Sequence, residues 1–311
     1  MDRKYELLKS EIFDLYGKTL YRIRATESFG DVSEGEKGGY IESYDNLTGN
    51  AWVGDDAKVC DNARVCGEAI VRDNALVIAN AKVCGEAIVR DSATVSGDAR
   101  VTGCATVRAS ARVTGGAWVG GNAVVCGEAQ VTGNAQVYNR ALIGSSATVG
   151  GNATVSGNAR VVDTAIVGGN ACVTGNARVG GNAAAAGISI VRGAATVDGI
   201  AVVTDAATVS GNATVSGKSR VSCDALVDGD AQLSDATDIL TISLIGYNND
   251  SITFFKCDDA KIRVAVGDFR GTIDELAAEI EKNDIEHAVV YNLAMQLAKQ
   301  TIKIETEDES K

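Results

Sequence analysis

From Ala51 to Ala231 a small apolar residue recurs every six positions without a slip; of these 31 positions 29 are Ala, and Ser189 and Ser219 are the exceptions. Two residues after each stands Val, replaced only at Ile143, Ala185 and Leu233. Residues two apart point to the same side of a strand, so Ala and Val share an inner face and the variable positions look outward. Gly and Asn then tend to follow, the two residues that best tolerate left-handed backbone angles, so each hexad reads as a short strand plus a corner. The segment VCGEAIVRD occurs at 65–73 and again at 83–91, eighteen residues apart, which stacks equivalent residues after three hexads. The pattern predicts a three-sided prism of about ten coils, roughly 50 Å long at the ~4.8 Å spacing of neighbouring strands.

Composition agrees with a narrow interior built from Val and Ala: aromatic residues make up only 5% of the chain. The chain holds 35 Gly and no Pro, as expected if most backbone N–H groups enter an unbroken ladder. The flanks lack the six-residue period. Residues 1–47 form an N-terminal cap with strands around Leu20–Ala25 and Gly39–Glu42, residues 48–236 form the prism, and 237–311 form a C-terminal module. That module shows strand patterns at Leu240–Ile245, Ile252–Lys256 and Ile262–Val266. A helix opened by a Thr272/Glu275 capping box runs to about Lys282, and a second, near His287–Lys299, carries Val290, Leu293 and Leu297 at helical spacing. Both flanks are expected to cover the strand edges at the ends of the solenoid.

The runs IGSSAT at 143–148 and VGGNAT at 149–154 resemble the hexapeptide repeat of left-handed parallel β-helices. The stretch GKTLYRIRATESFGDVSEGEKGGYIESYDNLTGNAWVGDDAKV at 17–59 is similar to the N-terminal segment of YdcK-like bacterial and prophage hexapeptide proteins. In the tail, GDFRGTIDEL at 267–276 resembles a module of phage-borne members. The resemblance implies an all-β solenoid, a three-sided left-handed parallel β-helix with a small N-terminal β cap and a C-terminal α+β cap. It implies a fold and not a reaction.

Formal charge is −12, with 14 basic and 16 acidic side chains in residues 50–236 but 8 and 15 in residues 237–311. A nearly neutral prism with an acidic tail argues against nucleic acid as a partner. With no signal-like or membrane-length apolar run, the expected setting is the cytoplasm, that of the bacterial host if the chain is phage-encoded. The eight Cys are then expected as reduced thiols.

Hexapeptide acyltransferases use a His base and the zinc enzymes of that architecture three His ligands, whereas this chain has one His, His287, outside the hexads. No insertion breaks the repeat, so no catalytic residue, metal or cofactor is expected. Cys66 and Cys84 share an outward position one coil apart, yet parallel outward vectors suit neither a tetrahedral metal site nor an easy disulfide. Gly-rich stretches such as 120–127 lack the Lys and helix of a phosphate loop.

The outward columns carry more. Arg72, Arg90 and Arg108 stack on one face and Arg64, Lys82 and Arg100 on another, with Glu68, Asp73, Glu86, Asp91 and Asp98 at neighbouring corners as expected counter-ions. The alternative is a small anionic ligand or polymer along these columns. An apolar column of Trp52, Ile70, Ile88, Thr106, Val124 and Leu142 reads as an interface for a homodimer or homotrimer. These features point to a non-catalytic interaction or scaffold protein of phage or prophage origin. The alternatives are an antagonist of host defence that binds a nucleotide signal or an immune protein, and an acyltransferase.

Overall fold

The computed structural model describes residues 3–245, 250–283 and 288–304. The chain divides into two compact units, Met1–Asp163 and Thr164–Lys311. The first opens with an antiparallel hairpin, Tyr5–Leu15 and Lys18–Ala25, turned at Tyr16 and Gly17, whose φ values of 54° and 79° suit a two-residue hairpin turn. Strand Lys37–Ile41 then pairs antiparallel with Lys18–Ala25 and parallel with Lys58–Val59, converting the cap's pairing into that of the prism. Gly38 makes this crossing possible. A Cβ there would meet the Val53 carbonyl and lie 2.6 Å from the Trp52 ring.

Past the cap, two-residue strands repeat from Trp52–Val53 to Arg160–Val161, and those up to Leu142–Ile143 each pair in parallel with the strand eighteen residues on. Ile70 sits on Ile88, Leu76 on Thr94 and Lys82 on Arg100, one pair from each of three sheets. Inward Ala and Val are closed to solvent, Val131 at 0% exposure among them. Alternate amides donate to the next coil, as Trp52 does to the Ala69 carbonyl at 2.9 Å, which accounts for the missing Pro.

Corner residues adopt positive φ, mostly as Gly and several times as Asp. The amide at such a corner has no place in the ladder, and Asp supplies a partner. The Asp73 carboxylate accepts from the Asp91 amide at 3.0 Å, and the Asp91 carboxylate accepts from the Ala109 amide at 2.8 Å. This bond between stacked corners offsets the strain of a left-handed residue with a Cβ.

The second unit continues the two-residue strands from Ile166–Val167 to Gln232–Leu233, then a single turn at Ala236–Asp238. A four-stranded antiparallel sheet follows, in the order Ile239–Ile245, Asp250–Lys256, Ile262–Val266, Phe269–Thr272. One face packs Phe254, Ile252 and Val264 against helix α1, Ile273–Asn283, and helix α2, Ala288–Thr301. Its other side covers the end of the hexads. Thr253 is fully buried and accepts from the Leu226 amide at 3.1 Å, and Cys257 bridges Ala231.

Two strands escaped the sequence reading, Tyr5–Leu15 and Phe269–Thr272. Neither alternates cleanly, because the first is largely exposed and the second is a short edge. The Thr272/Glu275 capping box is present, with Glu275 accepting from the Thr272 amide at 2.7 Å. His287 lies outside the described residues. None of the described helices is long and apolar enough to cross a membrane.

Candidate functional site

The expected apolar column exists in register: Trp52, Ile70, Ile88, Thr106, Val124 and Leu142 pair successively across the coils. Its first member is not available as an interface residue. Trp52 is only 6% exposed, because Phe29 of the cap meets it edge-on with ring centroids 5.8 Å apart. Ile70, Ile88, Val124 and Leu142 are half-buried, each shielded by its neighbours above and below. The loop after Lys18–Ala25 overhangs the column and encloses a cleft of about 600 Å³, lined by Phe29, Trp52, Ile70, Ile88, Glu68 and Arg72 among others. The register already sets the apolar column beside one Arg column; the cleft adds the cover of the cap's loop, which no periodic reading could show.

The two cation columns differ. Arg72 and Arg90 approach the corner carboxylates of Asp73 at 4.0 Å and Asp91 at 3.7 Å, as expected, while Arg108 forms no ion pair among the described residues. On the other face Arg64, Lys82 and Arg100 are exposed, and among the described residues none of them forms an ion pair within 4.0 Å. The corner carboxylates expected there are engaged elsewhere: Asp98 accepts from the Asn80 side-chain amide at 2.9 Å and Glu86 from the Cys104 thiol at 3.4 Å. Trp118 follows Arg100 in the same column, a residue the sequence reading passed over.

Not all eight Cys are the reduced thiols expected from the sequence. Cys66 and Cys84 form a disulfide, their Cα atoms 4.7 Å apart. Parallel Cα–Cβ vectors do not prevent it, since this separation lies in the usual range of roughly 4.4–6.8 Å and side-chain rotation brings the sulfurs together. The other six are free thiols. Cys60 is buried, and burial followed by the nearby Asp61 and Glu42 carboxylates pushes its thiol up to about 11. Glu42, Cys60 and Asp61 lie close together, but the Lys18 ammonium contacts both carboxylates and offsets one of their two charges from within.

The most exposed apolar surface of the second unit lies on α2. The stripe legible in the sequence, Val290, Leu293 and Leu297, faces outward at 44%, 59% and 47% exposure, and Ala294, Met295 and Ala298 face the sheet instead. With Leu244 at 76%, they line a groove beside the edge strand Ile239–Ile245.

Among curated proteins the chain finds no match. The family model described as YdcK Beta solenoid repeat matches residues 207–223, one residue short of a full coil, so this β-solenoid is similar to that repeat over those residues.

Proposed function

We propose that this protein is a non-catalytic interaction scaffold that works as a self-associated assembly. The observation that carries the reading is the outward stripe of α2. Val290, Leu293 and Leu297 stand at i, i+3 and i+7, the spacing of a helix–helix seam, on a helix whose only charged residue is Lys299. A seam of this kind is self-complementary, so a second copy of the helix around a two-fold axis is the partner it suits best. The half-buried column of Ile70, Ile88, Val124 and Leu142 is a second apolar surface for assembly, and the rigid coils present the remaining columns at fixed spacing to other partners. A phage or prophage setting rests on the resemblance of residues 17–59 and 267–276.

Sedimentation of the wild type and of a Leu293→Lys, Leu297→Lys variant tests the reading. Both side chains are exposed, so the variant should keep the wild-type melting temperature and sediment as a monomer where the wild type sediments as a dimer. A monomeric wild type would refute it.

A further inference from the structure

On the face that carries Arg64, the outward column runs Arg64, Lys82, Arg100, Trp118, Gln136, Thr154, each residue paired in register with the next. The coils are 4.7 Å apart at the neighbouring Cys66–Cys84 pair, whose disulfide ties together the two coils bearing Arg64 and Lys82. Three cations at that spacing repel one another, and a bound anion bridging them removes the repulsion. The planar fork of Arg holds a carboxylate, like a phosphate, through two parallel hydrogen bonds.

The next position is also built. Trp118 donates from Nε1 to Thr102 Oγ1 at 2.8 Å and stacks on Tyr138 with ring centroids 5.6 Å apart and an interplanar angle of 20°. Gly120 makes room for the indole, since a Cβ there would lie 2.8 Å from the ring. The ring is therefore held in one orientation, yet 36% of the residue remains exposed.

We infer that this face binds an acidic oligosaccharide of the uronate type, with carboxylates on Arg64, Lys82 and Arg100 and a sugar ring against Trp118. An extended sugar chain advances by about one coil spacing per residue, so it can run along the column with its charged and hydroxyl groups in reach of the side chains. The cations stop at Arg100, and the uncharged hydrogen-bonding groups of Gln136 and Thr154 follow. A polynucleotide would place phosphates there too, but its successive bases stack on successive aromatic rings, and in this column Trp118 is the single one from Arg64 to Thr154. A glycan with a carboxylate on each residue and many hydroxyls matches the sequence of side chains.

Calorimetric titration of the purified full-length protein with oligogalacturonate is the test, with a cello-oligosaccharide of equal length and oligothymidylate as comparisons. Binding is expected for the acidic glycan alone and should weaken with added salt. Lys82→Glu, Arg100→Glu and Trp118→Ala should each weaken it about tenfold. Arg112→Glu, an exposed cation on a different face, should leave it unchanged, with melting temperatures confirming that all variants fold. In a Trp52→Phe background the emission of Trp118 should shift on saturation, locating the ligand. Absence of oligogalacturonate binding, equal binding of the neutral glycan, tighter binding of oligothymidylate, or an equal loss in Arg112→Glu would overturn the inference. Sedimentation of the same variants separates this result from self-association, whose proposed seam lies on α2.

Discussion

Asn46 donates from its side-chain amide to two backbone carbonyls, Asp61 at 3.0 Å and Ala63 at 2.9 Å. In later coils a backbone amide serves the carbonyl of the inward Ala, as Trp52 does for Ala69. At position 46 the backbone is folded into a turn, its own amide donating to the Ser43 carbonyl, and the side chain takes over the first place in the ladder. Replacing Asn46 by Leu keeps the bulk and removes both bonds. Each buried carbonyl left without a donor costs about 1–3 kcal/mol, so chemical denaturation should show a loss of about 2–4 kcal/mol. Asn46→Asp should be no better, because a carboxylate cannot donate.

Ser189 is fully buried at an inward position, and its hydroxyl has no hydrogen-bond partner among the described residues. Ala fills the equivalent position in most coils. Ser189→Ala should therefore raise stability by about 1 kcal/mol, the desolvation of an unpaired hydroxyl. Ser219 differs in that its hydroxyl donates to the Asp235 carbonyl at 3.3 Å, so Ser219→Ala should give no comparable gain. Equal gains at the two sites in thermal melts would contradict this account.

Lys18 in the cap and Asp61 in the first coil make the cap's attachment pH-dependent. The Lys18 hydrogen bond, then the Ala79 amide, holds the Asp61 carboxyl below its ordinary value of 3.8, and the Asp61 bond lifts Lys18 above 10.5. The depressed carboxyl contributes stability above 3.8 that is lost as pH falls through its folded value. The raised ammonium contributes below 10.5, and that part is lost as pH rises through its folded value. Amide exchange of residues 18–25 relative to the mid-prism Val131 should be slowest between these limits. Asp61→Asn should flatten the acid side of the profile.

Cys66 and Cys84 should be found joined. Thiol titration of the unfolded, unreduced protein should count six free groups, and peptide mapping should recover the 66–84 link. Reduction should lower the melting temperature modestly, because the two coils are already hydrogen-bonded and closing so short a loop is worth at most about 3 kcal/mol. Eight free thiols in protein purified without reductant would refute the bond.

The repeat was legible because its information is local and redundant. One hexad specifies two inward residues and a corner, thirty more repeat the choice, and the eighteen-residue period predicts partners such as Ile70 and Ile88 without any three-dimensional input. Outward positions could be assigned to columns in the same way, but not to an environment. Trp52 belongs to the apolar column by register and is nonetheless covered, since Phe29 reaches it from a loop with no periodic relation to it. The α2 stripe shows the same limit. Val290, Leu293 and Leu297 have helical spacing, and so do Ala294, Met295, Ala298 and Ile302; close packing against the sheet selected the second set. Whether Arg72 finds a carboxylate and Arg64 does not depends on side-chain bonds such as Asn80 to Asp98, and those are decided only once the coils are stacked.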